Sequence, residues 1–145
     1  MITNQLESRL NGQLDPALLD PSTKTLNAGK MTGVWVNTSA ETESVAEIRI
    51  EPVDGAFFIS AQGTGDPGRI PWPRTKATPL ANLEEEAGQR ALAFAVTFDL
   101  GFMTAETYIR VNKGVLVIVV YHTFFDDSGR SNYVNREFFY RKDRD

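Results

Sequence analysis

The chain has 145 residues, a formal net charge of −4, no cysteine and one histidine. This length fits a single domain, and 41% hydrophobic with 23% charged residues is typical of a soluble globular protein. The acidic balance provides no basic field for nucleic acid, and without cysteine there are no disulfides, thiolate metal sites or cysteine nucleophiles. The composition therefore indicates one globular domain that does not bind nucleic acid.

The location of the protein is predicted from two features. The first nine residues lack the basic start and apolar stretch of a secretory signal, so we expect a cytoplasmic protein. The longest apolar run, residues 115–121, is far shorter than the ~20 residues of a membrane-spanning helix. We therefore expect no membrane partner.

Residues 1–30 are predicted to form an N-terminal arm. Polar residues dominate it, and its leucines are spaced for one or two weak helices, with Asp15 and Pro16 suited to start a short one. We expect the arm to dock on the main body or to fray. A role in binding or oligomerisation is the alternative.

From residue 31 the apolar residues recur with a period of two, which is typical of strands with one buried face. The predicted strands cover residues 31–37, 45–51, 56–62, 76–80, 90–100 and 102–112, followed by a long hairpin over 114–141 with its turn at 126–130. Residues 63–73 hold three glycines and three prolines, which indicates a structured loop or a broken edge. Residues 81–89 are predicted to be a solvated loop or a single helical turn.

About eight strands joined by hairpin-length connections, with no helix to serve as a parallel crossover, predict an antiparallel meander. Eight twisted strands can close on themselves, and closure removes the exposed edges that invite aggregation. We therefore predict an all-β, up-and-down barrel over residues 31–145, preceded by the partly helical arm.

The first strand opens with the sequence GVWVN at residues 33–37. It resembles the Gly-x-Trp signature of the lipocalins and the wider calycin superfamily, and it is similar to the Gly-x-Trp-x-Asn entry of the avidins. The resemblance implies that Trp35 plugs the closed end of the barrel. It also implies that an arginine near the last strand, Arg136 or Arg141, stacks across the indole.

His122 is the only histidine, which excludes metal sites built on paired imidazoles. It shares the strand parity of Leu116, Ile118, Val120 and Phe124, so it points into the barrel if that apolar face does. One interpretation makes it a general acid or base near the barrel mouth. The other, which we favour, makes it a hydrogen-bonded histidine at a strand end.

Two acidic residues offer further candidate chemistry. Glu106 stands two residues from Tyr108, and Glu137 stands two residues from Asn135, so each pair shares one strand face. The pairs meet across the lumen if they point inward, and they form a solvated outer face if they point outward. The turn at 126–129 resembles the start of a calcium loop but lacks its later glutamate, so no metal is predicted.

The leading functional prediction is binding of a hydrophobic or amphipathic small molecule at the open end, without a cofactor. The predicted contacts are Trp72, Phe94, Phe98, Tyr108 and His122. The first alternative is a cofactor-free isomerase or cyclase with His122, Glu106 or Glu137 as proton donor. The second is a ligand-free interaction module, and a homo-oligomer is possible.

Overall fold

The computed structural model describes residues 29–42, 44–65, 68–81 and 91–142. These residues form strands, turns and bends, without any helix. Accordingly, they contain no helix that is long and apolar enough to cross a membrane. Nearly all of the predicted arm, and most of the predicted loop at 81–89, lie outside the described residues.

Eight strands follow one another along the chain: β1 (Gly33–Asn37), β2 (Val45–Val53), β3 (Ala56–Gly63), β4 (Ile70–Ala81), β5 (Ala91–Asp99), β6 (Met103–Asn112), β7 (Val115–Phe124) and β8 (Tyr133–Arg141). Each strand pairs antiparallel with the next, and β8 pairs with β1 to close the barrel. The predicted all-β, antiparallel, up-and-down barrel is confirmed.

The period-two pattern decides which side chains fill the barrel. In β6, Met103, Ala105, Thr107 and Ile109 are buried, whereas the residues between them are exposed or half-buried. The same alternation buries Leu116, Ile118, Val120 and His122 in β7, and Phe57, Ile59 and Ala61 in β3. Because a closed sheet has one inner face, these sets form a single core inside the barrel.

β4 differs from the prediction, because it begins at Ile70, inside the stretch expected to be a loop or broken edge. Its register with β3 pairs Trp72 with Ala61 and Thr75 with Ile59, so Pro73 and Arg74 lie in a bulge. Its ladder with β5 covers only residues 78–81 of β4. Pro73 is tolerated because it lies in the bulge, and Pro71 is tolerated because it lies outside the β4–β5 ladder.

The barrel has two distinct ends. The turns at 54–55 and 113–114 lie at one end, which we call the lower end. The β1–β2, β3–β4, β5–β6 and β7–β8 connections lie at the other, which we call the upper end.

Trp35 fills the lower end and is only 1% exposed. Its Nε1–H donates to the Met31 carbonyl oxygen at 3.0 Å, and the Arg141 guanidinium carbon lies 4.5 Å from the centre of its ring system. Arg141 also donates to the backbone carbonyls of Lys30 and Thr32. Arg136, the other arginine considered from the sequence, instead lies over Phe138 on the outer wall.

We expect Arg141→Met to lower the free energy of unfolding by about 2–3 kcal/mol, because it removes a cation over a buried indole and two charge-assisted hydrogen bonds. Arg136→Met is the matched control, since Arg136 is exposed and lies over a ring at 5.4 Å. It should cost less than about 1 kcal/mol. Urea denaturation measures both, and equal losses would contradict the role given to Arg141.

Candidate functional site

Polar side chains meet inside the upper half of the barrel. β8 pairs with β7 so that Tyr133 lies opposite His122, Asn135 opposite Val120 and Glu137 opposite Ile118. Because paired residues share one face of a sheet, all three β8 side chains stand on the inner face. The strand pairing therefore brings an imidazole, an amide, a phenol and a carboxylate to the same end of the lumen.

His122 is the most buried of these groups, at 3% exposed. Its Nε2 lies 2.8 Å from Asn135 Oδ1. The Tyr133 ring stacks on the imidazole with ring centres 4.1 Å apart and planes 14° apart. Trp72 forms an edge contact with the imidazole, with ring centres 6.5 Å apart. The ring is thus held by one hydrogen bond and two aromatic neighbours.

Glu137 fastens the β1–β2 connection to the barrel wall. Its Oε1 accepts from Thr42 Oγ1 at 2.5 Å, and its Oε2 accepts from the Val45 backbone N–H at 3.4 Å. The Asn37 amide donates to the Val45 carbonyl oxygen at 2.8 Å, which fixes the same residue from the β1 side. The carboxylate therefore organises the entry into β2 through uncharged donors.

Two buried polar atoms lack hydrogen-bond partners among the described residues, His122 Nδ1 and Ser44 Oγ. Ser44 immediately precedes β2, so both atoms belong to the upper half of the barrel. A buried donor or acceptor without a partner costs about 1–3 kcal/mol. These two atoms are the places where an added polar group would be stabilised most.

Trp72 lies beside this cluster and packs edge-on against Phe98, with ring centres 5.3 Å apart. A Cβ atom at Gly63 would stand 2.6 Å from Trp72 Nε1, so glycine is needed there for the indole to pack against β3. Both aromatic rings are buried. Together they provide an apolar wall facing the imidazole.

Four large apolar or aromatic side chains are exposed at the rim of the upper end: Ile70, Phe102, Phe125 and Tyr133. Arg130, in the β7–β8 connection, lies 4.4 Å from the Phe124 ring centre and 5.3 Å from that of Phe102. Its guanidinium forms an ion pair with Asp126 at 2.7 Å. The cation at the rim is therefore already paired within its own loop.

The structure separates the residues singled out from the sequence. Trp72, Phe98 and His122 lie together in the upper lumen, whereas Phe94 packs against Phe57 lower in the barrel. Tyr108 is 42% exposed, because the alternation along β6 that buries Met103, Ala105, Thr107 and Ile109 turns it outward. A ligand in the lumen would not reach Tyr108.

Glu106 and Glu137 also lie on opposite sides of the wall. Glu106 is exposed on the outer face, where its Oε2 accepts from the Tyr108 hydroxyl at 2.6 Å. Glu106 and Tyr108 border a shallow concavity of about 340 Å³ on the outer face, and Thr75 and Thr97 also line it. The concavity lies beside the place where the β4–β5 ladder ends. Of these two glutamates, Glu137 is the one that contributes a carboxylate to the upper lumen.

Sequence reasoning did not select Tyr133, Thr42 or Ser44. Tyr133 could have been found from the register, because a hairpin centred on 126–130 places it opposite His122. Thr42 and Ser44 lie in a connection, where no periodic pattern predicts orientation.

Comparisons with known proteins returned no similarity, since no family model, curated protein or solved structure matches the chain. Within the described residues, no group of three or more histidine, aspartate or glutamate side chains could hold a metal ion. Any assignment of function therefore depends on the geometry of the upper lumen.

Burial lowers the pKa of His122 from its ordinary value of 6.5, while the Asn135 hydrogen bond and the Glu137 charge oppose this shift. Burial also raises the pKa of Tyr133, with Glu137 acting in the same direction and Arg130 against it. On the other side of β7, His122 pairs with the uncharged Ala105 of β6. The imidazole is thus favoured in its neutral form.

We expect the stability conferred by neutral His122 to be lost as the pH falls. The folded protein takes up the histidine proton less readily than the unfolded chain, so the free energy of unfolding should rise with pH up to and around 6.5. The slope from this single group should not exceed about 1.4 kcal/mol per pH unit. Urea denaturation of the native protein and His122→Gln across this range measures the difference.

Other ionisable groups are shared by the two proteins and cancel in that difference. The chain has one histidine, so its imidazole signal needs no further assignment. The imidazole resonance gives a direct reading by NMR titration. A His122 pKa at or above 6.5, or identical slopes for the two proteins, would contradict the expectation.

Proposed function

We propose that this protein binds an apolar or amphipathic small molecule in the upper lumen of the barrel. The observation that carries the proposal is the unpartnered Nδ1 of His122, buried at 3% exposure among aromatic rings. A polar atom in such surroundings gains most from a ligand that brings one polar group on an otherwise apolar body.

The surroundings of the imidazole fit such a ligand. Trp72 and Phe98 offer apolar contact, and Tyr133 continues from the imidazole towards the rim. The exposed rim side chains, among them Phe102 and Phe125, would shelter an apolar molecule as it enters. Each buried CH₂ group of the ligand would contribute about 0.8 kcal/mol.

A calycin-like assignment is part of the same proposal. The closed eight-stranded antiparallel barrel is compatible with it, and so is the position of Trp35 under Arg141. Small barrels of this architecture hold ligands at the mouth. The cytoplasmic location and a homo-oligomer remain predictions from the sequence.

An isomerase or cyclase is the second candidate, and its support comes from the same imidazole. A neutral histidine whose orientation is fixed by Asn135 has the arrangement of a general base. Of the acidic candidates, Glu137 lies on the inner face and Glu106 outside. Binding is preferred because Glu137 is already engaged by Thr42 and Val45.

The proposal predicts that uncharged amphiphiles raise the melting temperature and contact Trp72. We would screen phenol, 2-naphthol and 1-decanol, which carry one hydroxyl on apolar bodies of increasing size, by circular dichroism melting. The chain has two tryptophans, so its indole N–H groups give two NMR signals. A ligand in the upper lumen should move the Trp72 signal and leave the Trp35 signal in place.

Trp72→Phe assigns the two signals, since only the Trp35 resonance remains in that variant. Trp35 is a matched internal control, because it is buried at the opposite end of the same barrel. Failure of every compound to change the melting temperature, or a response confined to Trp35, would contradict binding in the upper lumen.

A further inference from the structure

The hydrogen bond of His122 defines which atom of its ring is available to a ligand. An amide oxygen only accepts, so Asn135 Oδ1 at 2.8 Å requires the proton on Nε2. In the neutral imidazole the other nitrogen then carries a lone pair and no proton. The unpartnered Nδ1 is therefore a hydrogen-bond acceptor and can be satisfied only by a donor.

The charges in the upper lumen disfavour an anionic ligand. The Glu137 carboxylate lies on the inner face and is held by the hydroxyl of Thr42 and the N–H of Val45, with no cation paired to it among the described residues. The nearby cation, Arg130, is paired with Asp126 at the rim. An anionic group entering the lumen would lose its hydration and meet a carboxylate.

Ser44 Oγ is the second buried side-chain atom without a partner among the described residues, and it does not discriminate between charged and uncharged ligands. A hydroxyl both donates and accepts, so it can adapt to either kind of ligand atom. The choice between ligand classes is therefore made by His122 and Glu137.

We infer that the ligand is an uncharged molecule with an apolar body and a hydroxyl or N–H group that donates to His122 Nδ1, and that carboxylate ligands are rejected. This inference rests on the proposed function, because it names the chemical class of molecule that the same site takes. The donor satisfies an acceptor that is otherwise buried without a partner. A carboxylate ligand is rejected because the Glu137 charge repels it, and the groups that donate to Glu137, the Thr42 hydroxyl and the Val45 N–H, are uncharged and do not neutralise that charge.

Three naphthalene compounds of similar shape test the inference: 2-naphthol, its methyl ether 2-methoxynaphthalene, and 2-naphthoate. Dissociation constants are measured by isothermal titration calorimetry near neutral pH. We expect the ether to bind about tenfold more weakly than the naphthol, because one hydrogen bond to a buried acceptor is lost. The naphthoate, which is ionised at this pH, should bind at least as weakly as the ether. Phenol, anisole and benzoate repeat the comparison on a smaller ring.

His122→Phe keeps a flat ring in the core and removes the acceptor. In this variant the ratio of the dissociation constant of the ether to that of the naphthol should fall from about ten to about one. Tyr108→Phe is the matched control, because it removes a hydroxyl from the outer wall and should leave the ratio unchanged. If His122→Phe does not fold, the comparison of ligands on the native protein still decides the point.

The outcomes separate the two proposals. Equal affinity for hydroxyl compounds and their ethers, or tighter binding of the carboxylates, would overturn the ligand class while leaving a binding protein. Loss of the ratio in Tyr108→Phe would overturn the assignment to His122. Absence of binding by every ring compound, together with a negative amphiphile screen, would overturn the proposed function itself.

Discussion

The pairing of β1 with β8 is the contact on which the rest of this structure depends. It is a short ladder that joins Trp35 to Arg141, Val36 to Tyr140 and Asn37 to Phe139. Without it, two strands would present unpaired backbone groups to other chains. The first pair of the ladder also forms the cation contact across the indole, so the side chains that fill the lower end reinforce the backbone bonds that close the barrel. Closure and the filling of the lower end are therefore one feature.

β8 divides the polarity of the barrel in an unusual way. Its inner face carries Tyr133, Asn135 and Glu137 in the upper half, while Val134 and Phe138 are exposed outside, at 55% and 41%. Binary patterning normally places the apolar set inward. The reversal is possible because the inner polar groups find partners on neighbouring parts of the barrel: Asn135 bonds His122 of the adjacent strand β7, and Glu137 bonds the β1–β2 connection. As a consequence, the outer face of β8 exposes the apolar side chains of Val134 and Phe138.

The mixed polarity of β8 also limits what could be predicted from the sequence. The barrel and the inner face of β6 follow from apolar alternation, since Met103 and Ile109 share one parity and Glu106 and Arg110 the other. β8 gives no such signal, because each parity mixes polar and aromatic residues, so the side of the wall occupied by Glu137 could not be decided. The extent of β4 was missed for a different reason. Prolines normally end a strand, but here Pro73 occupies a bulge and Pro71 a stretch without a ladder to β5, and both features depend on the closed barrel rather than on local sequence.

His122 is the residue on which the proposed binding site depends most. It continues the parity of Leu116, Ile118 and Val120, where another apolar side chain would pack without a desolvation cost. The imidazole instead needs Asn135 to satisfy Nε2 and leaves Nδ1 without a partner among the described residues, at a cost of about 1–3 kcal/mol. Under the proposed function, a ligand that donates to Nδ1 recovers this cost on binding, and residues that break the local rules of a fold occur at such sites. In the proposed site, the nitrogen that has no partner among the described residues, rather than the aromatic residues around it, is the feature that an ordinary barrel core would lack.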